Sequence, residues 1–186
     1  MASEVDICNE ALQRLGAGRI VSFSDGTKNS RECSLAYARE RDALLRMHRW
    51  GFSISRVRLA AAVTAPTFGP ANYFPLPPDC LRVLLPNDVY TDWVVEEAGI
   101  ATDWAAPLDL RYVRQITDPN KMDALFRQAL AVTIAYTICE SVTGSNKKQE
   151  TLSMELRDTV AGAKRVSAIE QVAQDIREDD FITARL

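Results

Sequence analysis

Apolar residues along this chain of 186 residues follow a helical spacing first, then a strand spacing, then a helical spacing again. The first helical stretch is marked by Val5, Cys8, Leu12 and Leu15. Ser3 can cap this helix and Gly16 can end it. After a turn-rich link, Asn29 and Glu32 offer a second capping arrangement, which predicts a helix that runs to about Arg49.

The middle of the chain, after Gly51, shows the alternation of apolar and polar residues that is typical of strands. Phe52 and Ile54 alternate with serines, and the phase slips at Arg56, which predicts a bulge or a helix-to-strand corner. A cluster of prolines excludes a long helix here and favours short strands joined by turns. The predicted strands are Tyr73 to Leu76, Cys80 to Leu85, Trp93 to Glu96 and Leu108 to Ile116.

Helical spacing returns at Asp118 and Pro119, a pair that suits the N-terminus of a helix. This third helix is predicted to run to about Val142 and to stop at Gly144. Its residues 129–139 carry no charge, whereas a surface helix normally has one polar face. Every side of it must therefore be covered, either by its own domain or by neighbouring subunits.

A fourth helix is predicted from Ser145 or Asn146, and the residues after Asp175 are interpreted as an extended arm. The apolar side of this helix comprises Leu152, Leu156, Val160, Ala163 and Val166. The expected fold is mainly α: a four-helix bundle interrupted by a small Pro-rich antiparallel β insert, with an extended C-terminal arm. The expected domains are residues 1–50 (helices 1 and 2), 51–117 (the insert), 118–172 (helices 3 and 4) and 173–186 (the arm).

Composition and charge argue against several classes of protein. The chain is 47% hydrophobic and 25% charged, which fits one globular domain, or one domain with an insert. A formal charge of -3 gives no reason to expect general binding to nucleic acid, and the uncharged run is shorter than the roughly 20 residues that cross a bilayer. Ser3, Glu4 and Asp6 stand where a signal peptide would need basic and apolar residues. The protein is expected to stay where it is made.

Residues for catalysis or metal binding are few. The four cysteines lack the close pairs of a zinc site, so they are expected to be small buried apolar residues. The single histidine, His48, ends a predicted helix and has no partner nearby in sequence. The acid pairs Glu96-Glu97 and Asp179-Asp180 are typical of solvated positions. We therefore expect no enzymatic activity, no cofactor and no metal; a hydrolase using carboxylates of the insert is the remote alternative.

Six arginines lie within twenty residues of one another, offset only by Glu40 and Asp42. They are Arg39, Arg41, Arg46, Arg49, Arg56 and Arg58. Arginine suits phosphate and carboxylate partners equally. Three interpretations follow: a solvated face with salt bridges between subunits, a contact with nucleic acid, or a site for an acidic protein.

Three segments together resemble the tail tubular protein A family, the head-to-tail adaptor of short-tailed bacteriophages. The first is RDALLRMHRWGF at residues 41–52, and the second is Tyr73 through Val83, which includes LPPDCLRV at residues 76–83. The third covers LRY at residues 110–112, Asp118-Pro119, the apolar helix and TGS at residues 143–145. Ala184-Arg185 is similar to the family's terminal Ala-Arg, although Phe181 stands where the family's tryptophan is expected.

The resemblance implies a ring of the chain itself, usually of twelve copies, that joins the portal protein to a tail nozzle protein of the tubular protein B type. The packaged DNA would pass through this ring without specific binding, and the protein would lie in the neck of the virion after assembly in the host cytoplasm, with no membrane contact. The helical part would face the portal, and the insert would face the tail through Trp93, Glu96 and Glu97.

Two further groups of residues receive roles on this view. The arm would bind the portal or a neighbouring copy through Phe181, Ile182, Arg185 and Leu186. Basic residues at an interface or along the channel would be Arg39, Arg46, Arg49, Arg56 and Arg58. The alternative is a nucleic-acid-binding or regulatory helical domain that uses the arginine run at residues 39–58, and such a protein should lose affinity steeply with salt.

Overall fold

A computed structural model describes residues 2–64, 66–84, 86 and 92–170 of the chain. Within these residues the chain forms four helices and six strands. They are α1 (Glu4–Leu15), α2 (Lys28–Met47), β1 (Ile54–Leu59), β2 (Asn72–Pro75), β3 (Cys80–Val83), β4 (Trp93–Glu96), β5 (Gly99–Thr102), β6 (Leu108–Arg114), α3 (Ala124–Thr143) and α4 (Asn146–Ile169). We call α1 to α4 the helical part and β1 to β6 the β part.

The ends of the helices follow local side-chain chemistry. The predicted cap of α1 is confirmed: the Ser3 hydroxyl accepts from the Asp6 amide at 3.0 Å, and the Asp6 carboxylate accepts from the Ser3 amide at 2.9 Å. The predicted stop of α3 is confirmed by Gly144, whose φ of 62° is the left-handed conformation that glycine adopts without strain.

Two predicted helix starts are wrong. α2 is capped by Thr27, whose hydroxyl accepts from the Ser30 amide at 3.1 Å, and not by Asn29. Asp118 caps only a short 3-10 turn at Pro119–Lys121. Asp123 instead caps α3, accepting from the amides of Leu125 and Phe126.

The central element of the helical part is α3. It packs against α1, α2 and α4, while α1 and α2 contact each other much less. Its fully buried residues are Phe126, Ala129, Leu130, Ala131, Val132, Ile134 and Ala135, with Cys139. The uncharged run is therefore covered largely by its own chain, which decides the question that the sequence left open.

The fourth helix buries less than its sequence pattern predicts. Leu152 and Ala163 are buried, whereas Leu156 and Val160 are only partly buried and Val166 is exposed. One side of α4 lies on α3, and much of its remaining surface is open.

The β part is built from two three-stranded antiparallel sheets, with strand orders β1-β6-β3 and β2-β5-β4. Their inner faces meet in a core of Leu59, Leu108, Leu110 and Tyr112 from one sheet and Phe74 and Ile100 from the other. Gly99 begins β5 beneath the ring of Tyr73, and a methyl group added there would overlap that ring. The two sheets thus form a second hydrophobic core, separate from that of the helices.

The prediction of a mainly α fold with a small insert is wrong. Of the described residues, 51% are helical, counting 3-10 turns, and 18% lie in two sheets, so the fold mixes α and β structure. Two strands account for the error. The region of β1 was predicted to be a bulge or a helix-to-strand corner. A 3-10 turn at Gly51–Ser53 does lead into β1, but the strand has no bulge and pairs in regular register with β6. The irregular register lies in β3, between Cys80 and Arg82. β5 was not predicted, because all four of its residues are buried and show no alternation.

An aromatic cluster lies after α2, where the helical part leads into the β part, and a side-chain hydrogen bond joins the two parts. Trp50 contacts His48 and Phe126 edge-on, and its indole N–H donates to the Leu44 carbonyl at 2.8 Å. The Gln115 side chain, after β6, donates to the Asp42 carboxylate on α2 at 2.7 Å. The end of α2 is thereby fixed to the first sheet.

Among the residues that the structure describes, no helix has the length and apolarity needed to span a membrane.

Candidate interaction surfaces

A catalytic or metal centre would need several titratable side chains in one place. In the described ranges, no group of three or more histidine, cysteine or acidic side chains is placed to hold a metal ion. Cys8, Cys33 and Cys139 are buried and Cys80 is half-buried, all as free thiols. His48 lies against Trp50 with its Nε2 atom buried and without a hydrogen-bond partner in the described part of the chain. This arrangement is that of a packed structural histidine.

The arginine run does not form one surface. Arg39 pairs with Glu40 at 2.8 Å. Arg41 is buried, pairs with Asp42 at 2.8 Å, and lies over the ring of Tyr37. These two guanidiniums are therefore engaged within the helical part, and Arg41 has a structural role.

The arginines of β1 lie on the outer face of the first sheet. Arg56 is opposite Arg111 and Arg58 is opposite Asp109 in the register of β1 with β6. Both nitrogens Nε and Nη2 of Arg58 donate to the Asp109 carboxylate, at 2.6 and 2.8 Å, and the pKa of Asp109 is lowered because of these bonds and the arginine charge. With the half-exposed Trp104, these side chains line a groove of about 560 Å³.

A second set of basic residues meets at the end of α2, and we call it the cationic cluster: Arg46, Arg49, Arg82 and Lys164. Arg46 lies in the last turn of α2 and donates through Nη1 to the carbonyl of Leu81 in β3. Arg82, in the same strand, donates through Nη1 to the Arg46 carbonyl at 3.0 Å. This second bond satisfies one of the carbonyls that a helix leaves open at its C-terminus.

The positive charges of the cluster act on one another and on His48. The pKa of Arg82 is lowered by burial and then by the charges of Arg49 and Arg46. Burial also lowers the pKa of His48, and the charges of Lys164, Arg82 and Arg49 lower it further. The cluster thus concentrates positive charge where the helical part meets the β part.

An uncharged loop forms the most exposed apolar surface. Residues 59–78 contain no charged side chain, and most of the stretch 60–71 links β1 to β2 outside regular structure. In this loop Val63 is fully exposed and Phe68 is 89% exposed. Large apolar side chains at such positions commonly mark a surface that a partner covers.

The residues predicted for the tail-facing side of the insert have different environments. Trp93 begins β4 and packs, half-buried, against the β core. Glu96 ends β4, and Glu97 follows it in the turn to β5 with a positive φ of 48°. Both glutamates are exposed, so the two acids are accessible to a partner while the tryptophan supports the strand.

The predicted arm residues, Phe181, Ile182, Arg185 and Leu186, lie outside the described residues. α4 ends at Ile169, and Glu170 lines a small groove with Trp50 and Gly51. The described chain therefore ends close to the end of α2.

Sequence reasoning identified Arg46 and Arg49 but missed their partners in the cluster. Arg82 and Lys164 are 36 and 118 residues from Arg46, and only the fold brings them together. The exposed loop could have been found from its lack of charge, which the sequence shows directly. Comparison of the chain with protein-family models and with curated proteins gives no match in either case.

Proposed function

We propose that this chain is a structural subunit, without enzymatic activity, that forms a ring between the portal and the tail nozzle of a short-tailed bacteriophage. The helical part would face the portal, the β part would face the nozzle, and DNA would pass through the ring without specific binding. On this proposal, the accessible acids Glu96 and Glu97 and the loop with Val63 and Phe68 belong to the docking surface for the tail.

The observation that carries the proposal is the meeting of the three segments on which the family resemblance rests. Residues 41–52 form the end of α2 and the turn after it, and residues 76–83 include β3; Arg46 and Arg82 bond reciprocally across them. Residues 110–112 lie in β6, where Tyr112 pairs with Val83 of β3. Segments far apart in sequence thus build one junction, which favours a shared structural unit over a chance similarity.

The exposed apolar loop supports an interaction role as well. Its large side chains stabilise neither core, since Val63 and Phe68 are exposed while the β core is formed by other residues. A large apolar side chain that becomes buried at a protein interface typically contributes much of the binding energy.

Mass measurement in solution tests the proposal, with the protein alone and mixed with a portal ring from a short-tailed phage. We expect a complex in which many copies, twelve on the family pattern, bind one portal ring. The Phe68→Ser variant is the matched control: it should bind the portal normally, and in a separate mixture with the nozzle protein it should fail to bind.

If the protein is instead a nucleic-acid-binding domain, it should bind DNA and should not assemble on the portal. Tight, specific and salt-sensitive binding to duplex DNA by a protein that stays monomeric beside the portal would overturn the adaptor proposal.

A further inference from the structure

The cationic cluster carries a surplus of positive charge. The ion pairs within the described residues engage Arg14, Arg39, Arg41, Arg58 and Arg114. In that same part of the chain, no carboxylate pairs with Arg46, Arg82 or Lys164. Because like charges are held together there, a group with several negative charges would be bound favourably.

Two of the three arginines of the cluster, Arg46 and Arg82, are fixed by hydrogen bonds to backbone carbonyls and still have donors to offer. A guanidinium has five N–H groups, and Arg46 and Arg82 each use one in the bond to the other element's carbonyl. Their side chains are therefore held in position before any ligand binds. Planar guanidiniums held in this way suit the oxygens of carboxylates or phosphates.

The chain itself contains a complementary segment just beyond the last described residue. Residues 175–180 are DIREDD, with four acids, Asp175, Glu178, Asp179 and Asp180, against the single base Arg177. Asp175 follows Glu170 by five residues, which span at most about 17 Å when extended. Glu170 lines a groove with Trp50 and Gly51, next in sequence to Arg49, so the segment starts within reach of the cluster.

We propose that Arg46, Arg82 and Lys164 of the cationic cluster bind the carboxylates of residues 175–180 of the same chain. The short connection to α4 keeps the acidic segment at a high effective concentration, so individually weak ion pairs suffice. This occupant accounts for the charge without requiring any partner from outside the chain.

A neighbouring groove suits the residues that follow the acids. Arg46 and Arg82 line a groove of about 530 Å³ whose other walls include Leu76, Val83 and Trp93. Phe181 and Ile182 come directly after Asp180. With the carboxylates on the arginines, Phe181 and Ile182 would come next to the apolar walls of the groove. Glu97, the acid in the groove, would repel the carboxylates and so disfavour the reversed orientation of the segment.

This inference concerns the isolated subunit and does not depend on the adaptor function. If the arm also binds a portal, the cluster would hold it on its own subunit beforehand, and the portal would have to displace it. The failure of portal binding and the failure of arm docking are therefore separate results.

Hydrogen exchange followed by mass spectrometry on the full chain tests the proposal. The triple variant Glu178→Gln, Asp179→Asn, Asp180→Asn leaves the described fold untouched, and Arg82→Gln removes one cation of the cluster. We expect amides of residues 175–182 to exchange about fivefold faster in either variant, the effect of losing one or more exposed charge contacts. High salt should have the same effect on the natural chain.

Arg31→Gln is the matched control, since Arg31 is an exposed residue near the opposite end of α2. It should leave exchange in the segment unchanged. Equal exchange in the natural chain and the triple variant would overturn the proposal. Protection of the segment that rises with protein concentration would show that it binds a second copy of the chain. An unprotected segment, together with duplex DNA binding that is lost in Arg82→Gln, would show that the cluster binds nucleic acid. Either result would also overturn the proposal.

Discussion

Individual side chains at the junction of the two parts have environments that their sequence neighbours do not reveal. Arg41 stands in a run of exposed arginines but is buried over Tyr37. His48 ends α2, where a protonated histidine would be favoured by the helix dipole, yet three cations and burial oppose its charge. The sequence alone could not predict the charge environment of His48. That environment depends on Arg82 and Lys164, which are distant in sequence and are brought close only by the fold.

His48 is expected to titrate below its ordinary pKa of 6.5 in the folded protein, because burial and the charges of Lys164, Arg82 and Arg49 disfavour its protonated form. As the chain contains one histidine, its NMR signal can be followed without assignment. Added salt should bring the pKa partly back towards 6.5, since it screens the cations and leaves burial unchanged.

The same shift gives stability a pH dependence. The contribution of His48 is present above pH 6.5 and is lost as the pH falls through 6.5 towards the folded pKa, because the unfolded chain then binds the proton first. The His48→Gln variant should show a shallower loss of thermal stability below pH 6.5. A folded pKa of 6.5 or higher would contradict both expectations.

Helices were easier to predict from this sequence than strands. α1 and α4 have clear caps and a 3.6-residue period, and α3 is recognisable from its lack of charge. β5 gives no such signal, because a four-residue strand buried on both faces has no alternation to detect. The sequence therefore predicted a small insert, whereas the β part has a hydrophobic core of its own.

The Ala135→Glu substitution tests the central position of α3. Ala135 is completely buried, so the new carboxylate would be desolvated without a partner, and we expect a loss of about 3–5 kcal/mol or failure to fold. Chemical denaturation monitored by circular dichroism measures the change.

Gln128→Glu on the exposed side of the same helix is the control and should change the free energy of unfolding by less than about 0.5 kcal/mol. If Ala135→Glu kept the stability of the natural chain, this face of α3 would have to meet water.

In the whole molecule, two hydrophobic cores stabilise the fold, and the candidate interaction surfaces lie outside them. Val63 and Phe68 of the exposed loop and the outer-face arginines of β1 are absent from both cores, so we expect these surface positions to tolerate substitution without loss of the fold. A function could be proposed from the sequence only through the family resemblance of its motifs. The cationic cluster could not, because its members come from α2, β3 and α4 and the link after α2.

Deletion of residues 173–186 tests the arm at this scale. Both cores lie within residues 2–170, so the melting temperature should change by less than about 2 °C. On the adaptor proposal, binding to the portal should be abolished, which co-sedimentation with a portal ring would measure. Unchanged affinity for the portal would rule out the arm as its clamp, whereas loss of helicity would show that the arm belongs to the fold.

The burial of α3 by α1, α2 and α4 has a consequence for the timing of assembly. A subunit whose central helix is already covered does not need its neighbours in order to fold, so folding and association are separate reactions. On the adaptor proposal, finished subunits would be available before assembly begins. On the adaptor proposal, the number of copies in the ring would then be dictated by the template that receives them and not by the concentration of subunits.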